Sequence, residues 1–225
     1  MEEPIGVTEA ARIPRQRSEQ LLEAAAWYAQ ERHWDVFPGT WLDAAGGTER
    51  CSCGDAGCAA PGAHPTRSDW AGQATGSAAA ARRMWARQPG SSVLLPAGRT
   101  FDALDVPESA GFLALARMER MGLTLGPVTR TPDRRMVFFV LPGAAAKAPG
   151  LVRQLGWDAG AIGLTGAGEG HYVAAPPTRV AGRGAVQWAR RPSRADLWLP
   201  DAEELISPLA YACAREAADA RTRLS

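Results

Sequence analysis

The sequence predicts an α+β fold, a mixed sheet with flanking helices, on three observations. Apolar residues recur at helical spacing in several stretches, as at Leu21, Leu22, Ala25, Tyr28 and Ala29. Short apolar runs such as Ser92 to Pro96 and Arg135 to Leu141 carry strand signals. The two patterns mix without the strict alternation that would predict a parallel α/β sheet. At 225 residues, with 46% apolar and 22% charged, the chain has the composition of a globular protein with one large domain, or one domain with a small appendage. It carries no internal repeat.

In chain order, residues 1–17 hold Pro4, Gly6 and Pro14 among charges and predict a flexible arm. Ser18 then opens a helix that runs to about His33, and Trp34 to Pro38 reads as a short strand stopped by proline. Residues 39–75 have no periodicity and are too long for an ordinary connection unless a metal organises them. Ala78 to Gln88 predicts a second helix, followed by strands at Ser92 to Pro96 and Phe101 to Val106. Pro107 starts a helix reaching toward Met121. Strand signals return at Pro127 to Arg130 and Arg135 to Leu141. A short helix at Gly150 to Leu155 precedes a glycine-rich stretch, Gly160 to Gly170, which leads into His171 to Pro177. The resulting division is an arm at 1–17, a main domain at 18–200 with a Cys-rich loop at 45–70, and a helical tail at 201–225 broken near Pro208.

A formal net charge of +1 gives no global nucleic-acid footprint, so any such site must be local. Only Lys147 among the 25 basic residues is lysine, and asparagine is absent. This general arginine bias weakens the inference that each arginine serves phosphate recognition. No apolar run approaches the roughly 20 residues needed to span a bilayer, and the acidic, non-apolar N-terminus is unlike a secretory signal. The expected location is the cytoplasm.

Three of the four cysteines fall in the segment Cys51, Cys53, Cys58, and His64 follows. The spacing C-x-C-x4-C-x5-H supplies three thiolates and an imidazole, a donor set suited to tetrahedral Zn2+. Gly54 and Gly57 allow the chain to wrap tightly. With four protein ligands no position is left for water, so the expected cofactor is a structural zinc. Cys213 reads as a small buried hydrophobe.

The order of these signals resembles a known family. Ala26 to Gln30, Trp34 to Pro38, the Cys-rich loop ending Pro61-Gly-Ala-His-Pro65, Trp70, and Tyr172 to Pro177 are similar, across roughly residues 20–190, to the bifunctional DNA primase/polymerase N-terminal (prim-pol) domain of the archaeo-eukaryotic primase superfamily. The resemblance implies a primase-polymerase-like mixed sheet and nucleotidyl transfer at two carboxylate-held divalent metals, Mg2+ or Mn2+. It also implies a strand bearing Asp-x-Asp, a later strand with a histidine for the triphosphate, and a third Asp before the Tyr-Val segment.

Asp105 fits the first carboxylate, but Pro107 occupies the second position. Glu108 is one residue out of phase and would face the wrong side of a continuing strand, unless proline begins a helix there. Met136 stands where the histidine is expected, and the flexible glycines before it have become Pro132 and Arg134. The third Asp is missing from Gly163 to Glu169, leaving Glu169 as a weak substitute.

Arg130, Arg134, Arg135 and His171 are the candidates for contacting a nucleotide or nucleic acid. The leading expectation is a catalytically degenerate primase-polymerase-like protein that binds a nucleotide, DNA or a protein partner. The alternatives are an active DNA primase/polymerase using Asp105, Glu108 and Glu169, and a purely structural interaction module.

Overall fold

The computed structural model of the chain describes residues 8–45, 48–193 and 198–224. It divides into two compact units, where the sequence suggested one main domain. The first comprises residues up to Leu95 together with Ala174–Gly184, and the second comprises Pro96–Val173 together with the residues from Ala185 onward.

The first unit is built on α1 (Thr8–Arg32) packed against α2 (Ala78–Arg87). The helix expected from Ser18 begins at Thr8, so the arm expected at 1–17 is helical from Thr8 onward; residues 1–7 lie outside the described ones. The helix runs through Pro14, which removes one i to i−4 hydrogen bond. His33 (φ +55) ends the helix, and Trp34 turns back to stack on Tyr28 at 6.1 Å. Tyr28 and Ala29 are buried, and the Tyr28 hydroxyl donates to the Pro176 carbonyl at 2.6 Å.

Ser77 caps α2, its hydroxyl accepting from the Ala80 N–H at 3.3 Å. Trp85 inserts from the buried face of α2 and donates its indole N–H to Ser91 at 2.9 Å. Strand β1 (Phe37–Pro38) pairs antiparallel with β4 (Val93–Pro96). Between them in sequence, β2 (Leu42–Ala45) and β3 (Thr48–Cys51) form a separate hairpin.

The second unit is a five-stranded sheet backed by helices. Its strands are β5 (Asp102–Pro107), β6 (Val128–Arg130), β7 (Arg135–Val140), β8 (Thr165–Ala167) and, after β9 (Tyr172–Ala174), β10 (Arg179–Val180) and β11 (Gly184–Ala185) have passed, β12 (Gln187–Arg190). The sheet order is β12-β6-β7-β5-β8 with antiparallel neighbours. The helices are α3 (Glu108–Arg120), α4 (Ala144–Gln154) and α5 (Ala202–Leu224).

Alternation along the strands separates two faces. Leu104, Val106, Val128, Met136, Phe138 and Val140 share one buried cluster with Ala114, Met118, Val152, Leu205 and Leu209 from the helices. Ala103, Asp105, Val137 and Phe139 therefore take the opposite face.

Three expectations are corrected here. The helix expected at Gly150 begins at Ala144, because buried Asp102 reaches from β5 to accept the Ala145 N–H at 2.9 Å, a cap that local sequence cannot reveal. The glycine-rich stretch contains β8, and a side chain at Gly166 would come within 2.8 Å of the Ala145 backbone, so close strand-helix packing accounts for that glycine. The C-terminal segment is no appended tail: α5 continues through Pro208 and buries Leu205, Ile206, Leu209, Ala210 and Cys213 in the second unit's core. Among the described residues, no helix is long and apolar enough to cross a membrane.

Candidate functional site

Two places concentrate chemistry, one in each unit. In the first unit, hairpin pairing sets Cys51 opposite Leu42, and the ladder continues as Trp41 and Ser52 exchange backbone and side-chain hydrogen bonds of 3.0 and 3.1 Å. The chain then turns at Gly54 (φ +77), whose N–H bonds the Cys51 carbonyl at 3.1 Å. At Gly62 (φ +81) a side chain would meet Leu42 at 2.7 Å, so only glycine brings the loop back to the hairpin. His64 is anchored by its backbone, with its carbonyl accepting from the Thr40 N–H at 2.8 Å.

The result is a cluster in which the donor atoms of Cys51, Cys53, Cys58 and His64 all lie within 4.8 Å of one another. About 3.8 Å separates sulfurs bound at about 2.3 Å to one tetrahedral zinc, so the donors need only a small contraction. The Cys51 sulfur is 3.4 Å from His64 Nε2.

Two further features fit a metal. His64 Nδ1 lies 2.9 Å from the Pro65 carbonyl, which can only accept, so the proton sits on Nδ1 and Nε2 is left as a lone pair facing the thiols. The Gly62 N–H donates to the Cys51 sulfur at 3.2 Å, an interaction that favours a thiolate. Burial opposes ionisation of Cys51, but N–H donors from Cys53 and Gly62 and the side chains of Thr40 and Cys53 outweigh it and bring the pKa down to about 6. Burial and the neighbouring thiols push Cys58 up to about 11. The four residues expected as ligands thus come together, and the cluster can hold a metal ion such as zinc.

The second place is the face of β5 that carries Asp105. Register puts Asp105 opposite Val137 on β7 and Thr165 on β8. Arg135 Nε donates to Asp105 Oδ1 at 2.9 Å, and the same guanidinium donates to the Gly163 carbonyl at 2.8 Å. The acid expected as the first family carboxylate is therefore held in an internal ion pair. Burial outweighs the Arg135 charge and holds the Asp105 carboxyl above its ordinary range, with Asp133 adding in the same direction.

The other expected acids do not join it. Pro107 ends β5 and caps α3, so Glu108 begins a helix instead of continuing the strand. Its carboxylate lies 3.4 Å from Arg130 Nε and 3.6 Å from Arg134 Nε. Together with Arg134, Arg215 and Asp219 it lines a cavity of about 700 Å3 beside α3.

Glu169 follows β8, whose register sets Ala103 opposite Ala167 and so carries Glu169 level with residue 101. That is four residues along β5 from Asp105, or about 13 Å. It is exposed, and its backbone packs so closely on Gly98 that a side chain there would fall within 2.4 Å. His171 is exposed nearby, its Nδ1 bonded at 3.2 Å to the Glu169 carbonyl.

The three arginines also separate. Arg135 serves Asp105, whereas Arg130 and Arg134 meet Glu108 at the end of α3. Arg134 occupies the left-handed region (φ +62), keeping the backbone shape that a glycine adopts without strain.

The expected equivalence of Met136 with the triphosphate-contacting histidine is corrected by register. Met136 is fully buried in the helix-side core, where a side chain at Gly111 would strike its sulfur at 2.7 Å. Val137 is the β7 residue facing across to Asp105. Likewise Thr165, which sequence reasoning passed over in favour of Glu169, is the β8 residue opposite Asp105. Counting residues from the Asp105 strand would not have found either; the strand register was needed.

A sheet backed by helices, whose strand β5 beside the edge strand β8 carries a carboxylate on the face away from those helices, fits a primase/polymerase-like nucleotidyltransferase fold. The model of the bifunctional DNA primase/polymerase N-terminal domain matches residues 25–204, and the chain belongs to that family. No curated protein and no solved structure matches the chain.

Proposed function

We propose that this chain is a catalytically degenerate primase-polymerase that binds nucleotide or nucleic acid without transferring a nucleotidyl group. The observation that carries the reading is the 2.9 Å pair between Asp105 and Arg135. In two-metal nucleotidyl transfer, several carboxylates offset the repulsion of the cations, which polarise the attacking and leaving oxygens. Around Asp105 the ladder supplies Val137 and Thr165, and the strand supplies Pro107 two positions on. None is a carboxylate, and a guanidinium takes the charge that Asp105 would offer an ion. Among the described residues, the strand positions paired with Asp105 offer Mg2+ or Mn2+ no second carboxylate.

Arg135 keeps the face polar and part-buried, a setting suited to holding a ligand. The cysteine cluster in the other unit has a structural part: a zinc there ties the β2–β3 hairpin to the segment ending at His64.

The test is primer synthesis and extension on single-stranded DNA with Mg2+ or Mn2+, with ribo- and deoxynucleotides, on zinc-loaded protein. No incorporation is expected. Incorporation that disappears in Asp105→Ala overturns the reading and makes the chain an active primase/polymerase.

A further inference from the structure

The first unit carries a cationic face that the proposed function does not use. Helix α2 contains Arg82, Arg83 and Arg87 and no acidic residue in its entire length. All three arginines are exposed, and among the described residues none lies within 4.0 Å of a carboxylate. This contrasts with Arg67, Arg130, Arg134, Arg135 and Arg179, each of which meets an acid. Exposed cations left unpaired along one helix form a track of positive charge in a chain whose net charge is only +1.

An aromatic ring stands at the end of this track. The turn after α2 brings Gly90 against Trp41, so that a side chain there would lie 3.5 Å from Trp41 Cβ and 3.7 Å from its ring. Trp41 is half-buried, and its indole N–H donates to Asp43 at 2.9 Å. Its backbone is held by Ser52, which lies between two of the thiols of the metal cluster.

We propose that α2 and Trp41 form a binding track for single-stranded nucleic acid. Arg82, Arg83 and Arg87 neutralise successive phosphates and Trp41 stacks on a base, with the metal cluster fixing Trp41 in place. Backbone charge plus an aromatic platform is the combination that holds single strands without reading sequence. The assignment rests on the nucleic-acid-binding reading above but not on the loss of catalysis. The incorporation assay decides catalysis, whereas strand binding decides this track.

The experiment is fluorescence anisotropy with a labelled oligodeoxythymidine over a salt series, using the zinc-loaded full chain. Each phosphate neutralised on a single strand contributes about 0.7 to the slope of log K against log salt, so the triple variant Arg82→Ala, Arg83→Ala, Arg87→Ala should flatten the slope by about 2. Trp41→Ala should weaken binding about 5- to 150-fold at every salt concentration and leave the slope unchanged. Trp41→Phe should restore most of that loss, which separates stacking from misfolding. A wild-type slope in the triple variant, full affinity in Trp41→Ala, or no binding by the wild-type chain overturns the assignment.

Discussion

The Cys51–His64 cluster and the Asp105 face are both places where the family resemblance or the residue pattern predicts a metal, yet among the described residues only the first gathers three or more possible metal-ligating side chains. In the cluster, four donors converge within 4.8 Å, and His64 is held in the tautomer a metal requires. On the sheet, Asp105 is paired with Arg135 at 2.9 Å. A structural metal needs its ligands close in sequence and a loop able to wrap, whereas a catalytic pair of metals needs acids brought from separate strands by register. Losing Asp at any one of those strand positions removes the second kind of site and leaves the sheet intact.

The comparison breaks most sharply at the cluster. Cys58→Ser and His64→Ala should each abolish stoichiometric zinc, measured by elemental analysis, and remove the thermal transition of the first unit. Structural zinc in small domains binds with about 10–16 kcal/mol, as much as the whole stability of a typical domain. Normal metal content in Cys58→Ser would show that the cluster is not the site. Removing Asp105 should do much less. Asp105→Asn breaks a part-exposed pair but also removes a buried charge, so urea stability near neutral pH should change by less than about 1 kcal/mol, with no change in zinc content.

Arg134→Gly should stabilise by about 1 kcal/mol, because glycine adopts the left-handed turn without the strain that Arg134 carries at φ +62. A loss of stability there would mean that the Glu108 contact outweighs the backbone.

The pH effects are smaller and differ in sign between the two regions. Metal binding must displace a proton from Cys58, whose pKa stands at about 11, so zinc affinity should rise with pH through the neutral range in competition titrations with a chelator. Asp105 titrates the other way for stability. Its folded carboxyl binds protons more readily than the unfolded one, so the stability it contributes is fully present below the ordinary Asp range and is lost as pH rises through the raised value. Asp105→Asn should flatten that dependence; an unchanged pH profile would sever it from Asp105.

Much of the fold was legible in the sequence because its signals are local. Ser77 caps α2, proline starts α3, and the apolar runs of β4 and β7 announce buried strands. The misread elements are those decided at a distance. Ala144 begins α4 because Asp102 on another strand caps it, and α5 survives Pro208 because its apolar face is buried against the second unit's sheet and helices.

By itself the sequence determined the family, the mixed fold and the four candidate metal donors, whose short spacing lets one turning loop bring them together. Only the tertiary structure decided what surrounds Asp105. The two-residue period of a strand makes facing residues depend on pairing register, and that register selects Val137 over Met136 and Thr165 over Glu169. It also reveals Arg135, thirty residues from Asp105 in sequence, as the cation paired with Asp105.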